Sequence, residues 1–374
     1  MRVLKSIITV LLYFLILLAL SLTCWFKSPT DFSESERRVL EQFPTLSFKT
    51  ILSGEFMKDF EGYTTDQFPL RDTFRSIKAY ASMGAFGQLD NNDIYVVNDN
   101  ISKLEYPLSE SMIENATDKF RYLYNKYMED TDVNVYLSII PDKNYFMAEE
   151  NGYLSMDYEK LIRLIKKDTR YMEYIDIFDK LELEDYYRTD THWKQEEIVH
   201  IAQYLNTAMN TNYSKNLKSV PVFNKENTSP YGFKGVYLGQ SRLNIKPDEI
   251  RYLTNETIEN CNVYSYSSGT KKEIEMYNFN KVYGKDAYEM YLNGTEALLV
   301  IENPNAKTDK ELIMFRDSFG SSLAPLMIDG YSKITLIDIR YMKSDMIDKF
   351  VKFDNQDVLF IYSSIILNNS TALN

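Results

Sequence analysis

The amino-acid sequence predicts an α/β fold in which helices flank a parallel β-sheet, preceded by an N-terminal transmembrane anchor. Two observations support this prediction. In the C-terminal third, short apolar strands alternate with helices, which is typical of βαβ units on a parallel sheet. At the N-terminus, an uncharged and mostly apolar run from Ser6 to Phe26 has about the 20 residues that a helix needs to cross a bilayer.

The charges around the apolar run predict its orientation. Arg2 and Lys5 precede the run, so the positive-inside rule places the N-terminus in the cytoplasm and the chain after Lys27 outside it. A cleaved signal peptide is the alternative, but the run is longer than a usual signal-peptide core and no small-x-small cleavage site follows it. Residues 1–27 are therefore interpreted as an uncleaved, single-pass anchor in the cell membrane.

Composition argues against several classes of function. Without the two basic residues before the apolar run, the formal charge of −12 becomes −14 for the exported part. This acidic charge argues against a nucleic-acid partner and against docking on anionic surfaces. Cys261 is the only cysteine outside the apolar run, so no intrachain disulfide is expected. Asp190, His192 and His200 lack a regular ligand spacing and no cysteine cluster accompanies them, so neither a metal nor another cofactor is expected.

Periodicity predicts the elements of the exported part. Residues 28–105 are polar and rich in turns, and are interpreted as a lead-in region. From Ser109 to Tyr127 apolar residues recur at helical spacing, and the apolar, β-branched run from Val133 to Ile140 predicts a strand. The core is therefore placed at 106–374, with an irregular, β-rich insert at about 211–295. The other predicted helices are a short one that begins at 32–38, followed by 54–68, 157–167, 195–209, 319–328 and 344–353. The other predicted strands are 93–98, 174–178, 312–315, 334–339 and 358–362.

His192 is one of only two histidines in the chain, and histidine is the usual side chain for moving a proton near neutral pH. In an extended segment, residues two apart point to the same side, so Asp190 can hold the imidazole of His192 in one tautomer. Ser318 lies between a predicted strand and a predicted helix, at the sheet edge where ligands bind in such folds. The sequence therefore predicts a triad in which Ser318 is the nucleophile, His192 the base and Asp190 the orienting carboxylate.

Other residues near these positions are predicted to complete the site. The backbone N–H groups near Ser318 and Phe319, at the start of a predicted helix, are the expected donors to an oxyanion. Two structural alternatives stand beside this prediction, with Ser318 as a helix N-cap and His192 as a structural histidine in a loop. Residues beside the histidine motif and at the end of the strand 133–140 are expected to line the site, namely Lys143, Asn144, Tyr187 and Arg188.

The motif Asp190-Thr191-His192-Trp193 resembles the signature of the DHHW family, with Thr191 where the family name has a histidine. That difference removes a second imidazole and keeps the Asp-x-His pair. DHHW proteins are similar to the AlgX and AlgJ proteins of alginate acetylation, whose SGNH-hydrolase-like domains carry this pair before the serine, in a circularly permuted order. The order of Asp190, His192 and Ser318 is the same. The resemblance also covers the anchor and five further segments, Gly54-Glu55-Phe56, Thr65 to Asp72, Pro141-Asp142-Lys143, Phe233-Lys234-Gly235 and Arg316 to Phe319.

The resemblance implies an SGNH-hydrolase-like domain with the activity of an extracytoplasmic O-acetyltransferase. Its acceptor would be a cell-surface or secreted polysaccharide, the intermediate an acyl-serine, and a membrane-bound O-acyltransferase would supply the acyl groups. Two alternatives stay open at the level of the sequence. One is a polysaccharide acetylesterase of the same fold, in which water replaces the sugar, and the other is a non-catalytic envelope protein that binds glycan or acts as a scaffold. Transfer and hydrolysis differ in water exclusion and acceptor positioning, which no motif in the sequence encodes.

We expect a reporter enzyme fused after Asn374 to be active outside the cytoplasm, because the basic residues precede the apolar run. The full-length protein should fractionate with membranes and retain residues 1–26, as measured by mass spectrometry of the purified chain. Recovery of the full-length chain in the soluble cytoplasmic fraction would contradict the anchor. Recovery of a shortened chain would identify a cleaved signal peptide instead.

Overall fold

The computed structural model describes residues 2–223 and 232–373, which form two compact units. The N-terminal unit contains the described residues up to Asn92 together with Leu238–Asn244, and the sheet unit contains the rest. The division falls before the predicted boundary at 105, because two short strands between residues 94 and 103 belong to the sheet unit.

The elements of the described chain have the following bounds. The helices are α1 Arg2–Phe26, α2 Phe48–Leu52, α3 Glu55–Asp66, α4 Arg71–Ala79, α5 Glu110–Tyr127, α6 Lys143–Met147, α7 Tyr158–Asp168, α8 Val199–Ala208, α9 Val236–Ser241, α10 Glu256–Glu259, α11 Phe279–Val282, α12 Gly320–Met327 and α13 Ser364–Asn368. The strands are β1 Phe32–Ser33, β2 Arg38–Val39, β3 Ile94–Val97, β4 Asn100–Lys103, β5 Asn134–Ile140, β6 Glu173–Tyr174, β7 Lys218–Pro221, β8 Gly232–Phe233, β9 Asp248–Glu249, β10 Arg251–Thr254, β11 Asn262–Ser265, β12 Lys272–Ile274, β13 Leu298–Glu302, β14 Glu311–Arg316, β15 Lys333–Ile337 and β16 Asp357–Ser363. A π-helix at Tyr80–Ala85 follows α4.

In the N-terminal unit, α1 is long and apolar enough between Leu4 and Phe26 to cross a membrane, a property that an N-terminal signal sequence shares. The segment from Thr65 to Asp72, which ends α3 and begins α4, supplies ion pairs to the chain that follows α1. The carboxylate of Asp66 accepts hydrogen bonds from both terminal nitrogens of Arg38, at 2.8 and 2.5 Å. Arg71 contacts Glu36 at 2.5 Å. This segment therefore has a structural role within the N-terminal unit.

The central sheet of the sheet unit has eight strands among the described residues, in the order β12-β11-β13-β15-β14-β16-β5-β6. The five strands from β15 to β6 run parallel to one another. The strands β13, β11 and β12 extend one edge, each antiparallel to its neighbour. The predicted α/β fold is confirmed, with a parallel sheet that gains an antiparallel extension.

Side chains of the central strands alternate between two hydrophobic clusters. On β14, Leu312 and Met314 belong to the cluster that contains residues of α8 and α12, whereas Ile313 and Phe315 belong to the cluster with residues of α5 and α7. Successive side chains of a strand point to opposite faces, so helices cover both faces of this sheet. This burial on both sides explains why the central strands are continuous apolar runs in the sequence.

Three predicted elements differ from the structure in type or length. The short helix predicted to begin at 32–38 is instead the antiparallel pair of β1 and β2. The predicted helix at 344–353 is a 3₁₀ helix at Ser344–Lys349. The predicted strand at 174–178 is reduced to β6, because the chain turns into a 3₁₀ helix at Phe178–Lys180. Each of the two 3₁₀ segments places a buried side chain, Ile347 or Phe178, in the hydrophobic cluster with residues of α5 and α7, so tertiary packing rather than local periodicity decides its backbone form.

Most of the segment predicted as an irregular insert at 211–295 belongs to the sheet unit, whereas Leu238–Asn244 belong to the N-terminal unit. Its strands β11 and β12 extend the central sheet, and Tyr288 and Tyr291 are buried in one of the two hydrophobic clusters. These strands are only three and four residues long, so they produce a weak sequence pattern. Residues 224–231 of the predicted insert lie outside the described residues.

The parallel pairing of β14, β16 and β5 brings the carboxyl ends of these strands side by side. Ser318 follows β14 and Lys143 follows β5, so both come from the same edge of the sheet. The carboxylate of Asp317 accepts the backbone N–H of Ser363 at 2.8 Å, which joins the ends of β14 and β16 directly. This is the edge at which parallel sheets bind their ligands.

Candidate active site

The motif Asp190-Thr191-His192-Trp193 lies on a short loop, and Trp193 fixes this loop to the rest of the fold. Tyr186 and Trp193 form an antiparallel bridge across the loop, and Tyr187 donates its backbone N–H to the carbonyl oxygen of His192 at 3.0 Å. The indole of Trp193 is fully buried and its Nε1 donates to the hydroxyl of Ser322 on α12 at 2.9 Å. The loop is therefore fixed to the helix that follows the predicted nucleophile.

Asp190, His192 and Ser318 form a hydrogen-bonded relay in the structure. His192 Nδ1 lies 2.6 Å from Asp190 Oδ1, and His192 Nε2 lies 2.8 Å from Ser318 Oγ. An ionised carboxylate only accepts hydrogen bonds, so Nδ1 carries the ring proton and donates it to Asp190. Nε2 is then free to accept the hydroxyl proton of Ser318. The three predicted residues thus come together in the arrangement that a serine nucleophile and its base require.

The carboxylate of Asp190 is fully buried and is held by backbone donors. Besides the ring of His192, it accepts the backbone N–H of His192 at 3.1 Å on Oδ1 and the backbone N–H of Val236 at 2.7 Å on Oδ2. Hydrogen bonds to a charged acceptor are stronger than neutral ones, so these donors stabilise the negative charge in the interior. Asp190 is therefore a fixed acceptor for the imidazole.

The face of the His192 imidazole packs against Tyr288, a residue that was not predicted from the sequence. The ring of Tyr288 stacks on it with the centroids 3.8 Å apart and an angle of 8° between the planes. The Tyr288 hydroxyl lies 2.7 Å from Ser322 Oγ, the same oxygen that accepts the indole proton of Trp193. This contact was not predicted, because Tyr288 and His192 meet only through the tertiary fold.

Ser318 is half-buried at the corner between β14 and α12. The carboxylate of Asp317 accepts the backbone N–H of Phe319 at 3.0 Å and that of Ser363 at 2.8 Å. The Phe319 N–H is therefore not the oxyanion donor that the sequence analysis predicted, because a carboxylate already takes this proton. The Ser318 N–H makes no hydrogen bond to any residue that the structure describes, and it is the better candidate for that role.

Three of the four residues predicted to line the site are buried and have partners inside the protein. Lys143 donates to backbone carbonyls, Asn144 accepts the hydroxyl of a buried tyrosine at 2.9 Å, and the ring of Tyr187 lies within an aromatic cluster. Their side chains make contacts inside the protein, so the role in lining the site stays a prediction for them. Arg188 is partly exposed, and its Nε lies 3.4 Å from Asp248 Oδ1.

The segment Phe233-Lys234-Gly235, which also resembles the DHHW family, passes close to the backbone at Asp190. Gly235 donates its N–H to the hydroxyl of Thr189 at 3.0 Å. A Cβ atom at Gly235 would lie 2.2 Å from the carbonyl oxygen of Thr189 and 2.4 Å from the nitrogen of Asp190. The close approach of the two backbones therefore requires a glycine at this position.

His200 and Cys261 lie apart from the hydrogen-bonded relay of Asp190, His192 and Ser318. His200 Nε2 is 2.8 Å from the carbonyl oxygen of Lys180, and its side chain is about half exposed. Burial raises the pKa of Cys261 to about 12, so its thiol stays protonated. Within residues 2–223 and 232–373, no group of three or more His, Cys, Asp or Glu side chains is placed to hold a metal ion.

We expect Gly235→Ala to lower the free energy of unfolding by about 1–3 kcal/mol, because backbone atoms of Thr189 and Asp190 must move to admit the methyl group. Gly232→Ala is the matched control, since its Cβ would lie 3.5 Å from Pro247, an ordinary contact. Thermal unfolding of the full-length protein measures both changes. Equal losses for the two variants would contradict the close approach at Gly235.

Comparison with known proteins agrees with this fold. The sequence matches no family model and no curated protein. A DHHW family protein from Eubacterium siraeum superposes with a TM-score of 0.61 at 20% identity, over 76% of this chain and 95% of that chain. Bacillus cereus PatB1, solved with a sulfonyl adduct, gives a TM-score of 0.57 at 17% identity, over 74% and 97%. The O-acetyltransferase domain of Pseudomonas putida AlgJ gives 0.42 at 10% identity, over 74% and 93%. The first two matches show that this chain has the fold of a DHHW family protein and of PatB1.

Proposed function

We propose that this protein is an extracytoplasmic O-acetyltransferase that transfers acetyl groups to a polysaccharide through an acetyl-serine at Ser318. The observation that carries the proposal is the relay in which His192 lies 2.8 Å from Ser318 Oγ and 2.6 Å from Asp190. The resemblance of the motif to the DHHW family supports acetyl transfer to a glycan. The apolar helix at the N-terminus supports a location outside the cytoplasm.

In the first step, Ser318 Oγ attacks the carbonyl carbon of an acetyl donor while His192 Nε2 takes the hydroxyl proton. The resulting imidazolium is stabilised by the carboxylate of Asp190 and by the stacked face of Tyr288, since aromatic faces attract cations. The tetrahedral intermediate then collapses. His192 returns the proton to the leaving group, and the acetyl group remains on Ser318 as an ester.

In the second step, a sugar hydroxyl attacks the acetyl ester while His192 Nε2 takes the proton of that hydroxyl. The bond between the acetyl carbon and Ser318 Oγ breaks, and His192 returns the proton to the serine. The acetyl group leaves on the sugar. Water in place of the sugar would release acetate by the same route, so the occupant of the acceptor position decides between transfer and hydrolysis.

We expect a sulfonyl fluoride to label Ser318, because His192 is placed to activate its hydroxyl, and peptide mass spectrometry locates the label. Ser318→Ala should abolish labelling. His192→Ala and Asp190→Asn should each slow it by on the order of a thousandfold, since the three groups act as a unit. His200→Ala and Ser268→Ala are matched controls at the other histidine and at an exposed serine, and both should label at the wild-type rate. Wild-type labelling of His192→Ala would contradict the relay.

An acetyl ester donor separates the possible activities of the same site. We expect acetyl groups to appear on an added oligosaccharide faster than as free acetate. Release of acetate at one rate, whatever acceptor is present, would identify an esterase. A Ser318 that resists sulfonyl reagents, in a protein that turns over no acetyl ester, would favour a non-catalytic glycan-binding protein.

A further inference from the structure

Lys143 is a charged residue buried beside the active-site loop. It is the first residue of α6, and only 1% of its surface is exposed. Its Nζ lies within hydrogen-bonding distance of four backbone carbonyl oxygens, those of Ile101 at 2.5 Å, Tyr187 at 2.7 Å, Arg188 at 2.9 Å and Asp190 at 3.2 Å. An ammonium group has three protons to donate, so these four acceptors satisfy it completely within the protein.

Three of the four carbonyls come from residues 187–190, the stretch of chain that leads directly to His192. The chain must curve around the ammonium to bring these oxygens to one point. We propose that Lys143 is a positioning residue, which binds the carbonyls of this stretch and thereby sets where the carboxylate of Asp190 meets the imidazole of His192. This inference rests on the proposed function, because it assigns Lys143 a part in aligning the relay.

Asp248 holds the same stretch of chain through its N–H groups. Asp248 Oδ1 accepts the backbone N–H of Arg188 at 3.1 Å, and Oδ2 accepts the backbone N–H of Thr189 at 2.8 Å and its hydroxyl at 2.6 Å. Lys143 thus binds the carbonyl groups and Asp248 binds the N–H groups. Any rotation of these peptide planes would break hydrogen bonds to a charged partner, which are stronger than neutral ones.

The charge of Lys143 is difficult to explain by packing alone. The pKa of Lys143 is lowered to about 7, with burial as the largest cause and the charge of Arg188 acting in the same direction, whereas the charges of Asp248 and Asp190 oppose the lowering. The ring of Tyr237 is 5.8 Å from Nζ and also favours the cation. A buried charge stabilises a fold less than an apolar side chain of similar volume does, so stability is a weak reason for a lysine here. Only a polar donor can gather four carbonyl oxygens.

Proton NMR of the full-length protein in detergent micelles, labelled with ¹⁵N-histidine, observes the relay without any substrate. The chain has two histidines, so the spectrum of His200→Gln assigns the signals of His192. In the wild-type protein we expect a downfield Nδ1–H signal, because this proton lies in the 2.6 Å hydrogen bond to Asp190. The signal reports the alignment of the carboxylate and the imidazole directly.

Lys143→Met and Lys143→Gln are expected to remove or shift this signal while the far-UV circular dichroism stays that of the wild type. Sulfonyl labelling of Ser318 should slow by on the order of a hundredfold, as for other small misplacements of reacting groups. Lys160→Met is the matched control, because Lys160 is a partly exposed lysine that contacts Glu110 at 2.5 Å. It should change neither the signal nor the labelling rate.

An unchanged Nδ1–H signal in folded Lys143→Met would overturn the proposal. Failure of both Lys143 variants to fold would also overturn it, since the lysine would then serve general stability. If wild-type Ser318 cannot be labelled but the signal depends on Lys143, the positioning role is supported and the proposed acylation chemistry is contradicted. The positioning role of Lys143 and the proposed acylation of Ser318 are therefore contradicted by different results.

Discussion

The carboxylate of Asp190 is buried completely, and it must remain a hydrogen-bond acceptor for His192 at 2.6 Å. An uncompensated charge in the interior costs several kcal/mol, so the surrounding chain has to supply donors. The backbone N–H groups of His192 and Val236 do so. This requirement explains why the chain before Val236 runs so close to the Asp190 backbone that only glycine fits at Gly235. The position of one carboxylate thus depends on segments that are distant in sequence.

The parallel sheet and the motif loop come together at Ser322. Its hydroxyl oxygen accepts the indole proton of Trp193 at 2.9 Å and lies 2.7 Å from the hydroxyl of Tyr288. The first contact fixes the loop that carries the imidazole, and the second fixes the ring that stacks on it. Ser322 lies on α12, the helix that follows Ser318, so the base and the nucleophile are held by the same element. We infer that the short distance between them is maintained without any substrate.

The sequence indicated the three residues that the structure places within hydrogen-bonding distance of one another, because histidine is rare in this chain and Ser318 follows an apolar strand of a parallel sheet. It was not sufficient for residues whose surroundings are made by tertiary contacts. A lysine at the end of a strand is usually solvated, yet the carbonyl oxygens around Lys143 come from two separate segments, Ile101 and residues 187–190. The Phe319 N–H was expected to be free at the start of a helix, whereas the carboxylate of Asp317 takes it. Tyr288 lies in a stretch of weak periodicity, and only the fold brings it to His192.

The central claim is that His192 activates Ser318 for covalent acetylation. The most direct measurement is to expose the full-length protein briefly to an acetyl ester donor, quench it with acid and sequence the tryptic peptide Asp317–Lys333 by mass spectrometry. The account predicts one acetyl group on Ser318 in the wild-type protein and none in His192→Ala. A wild-type protein that consumes the donor while Ser318 remains unmodified, or an equal acetyl-serine yield without His192, would contradict it.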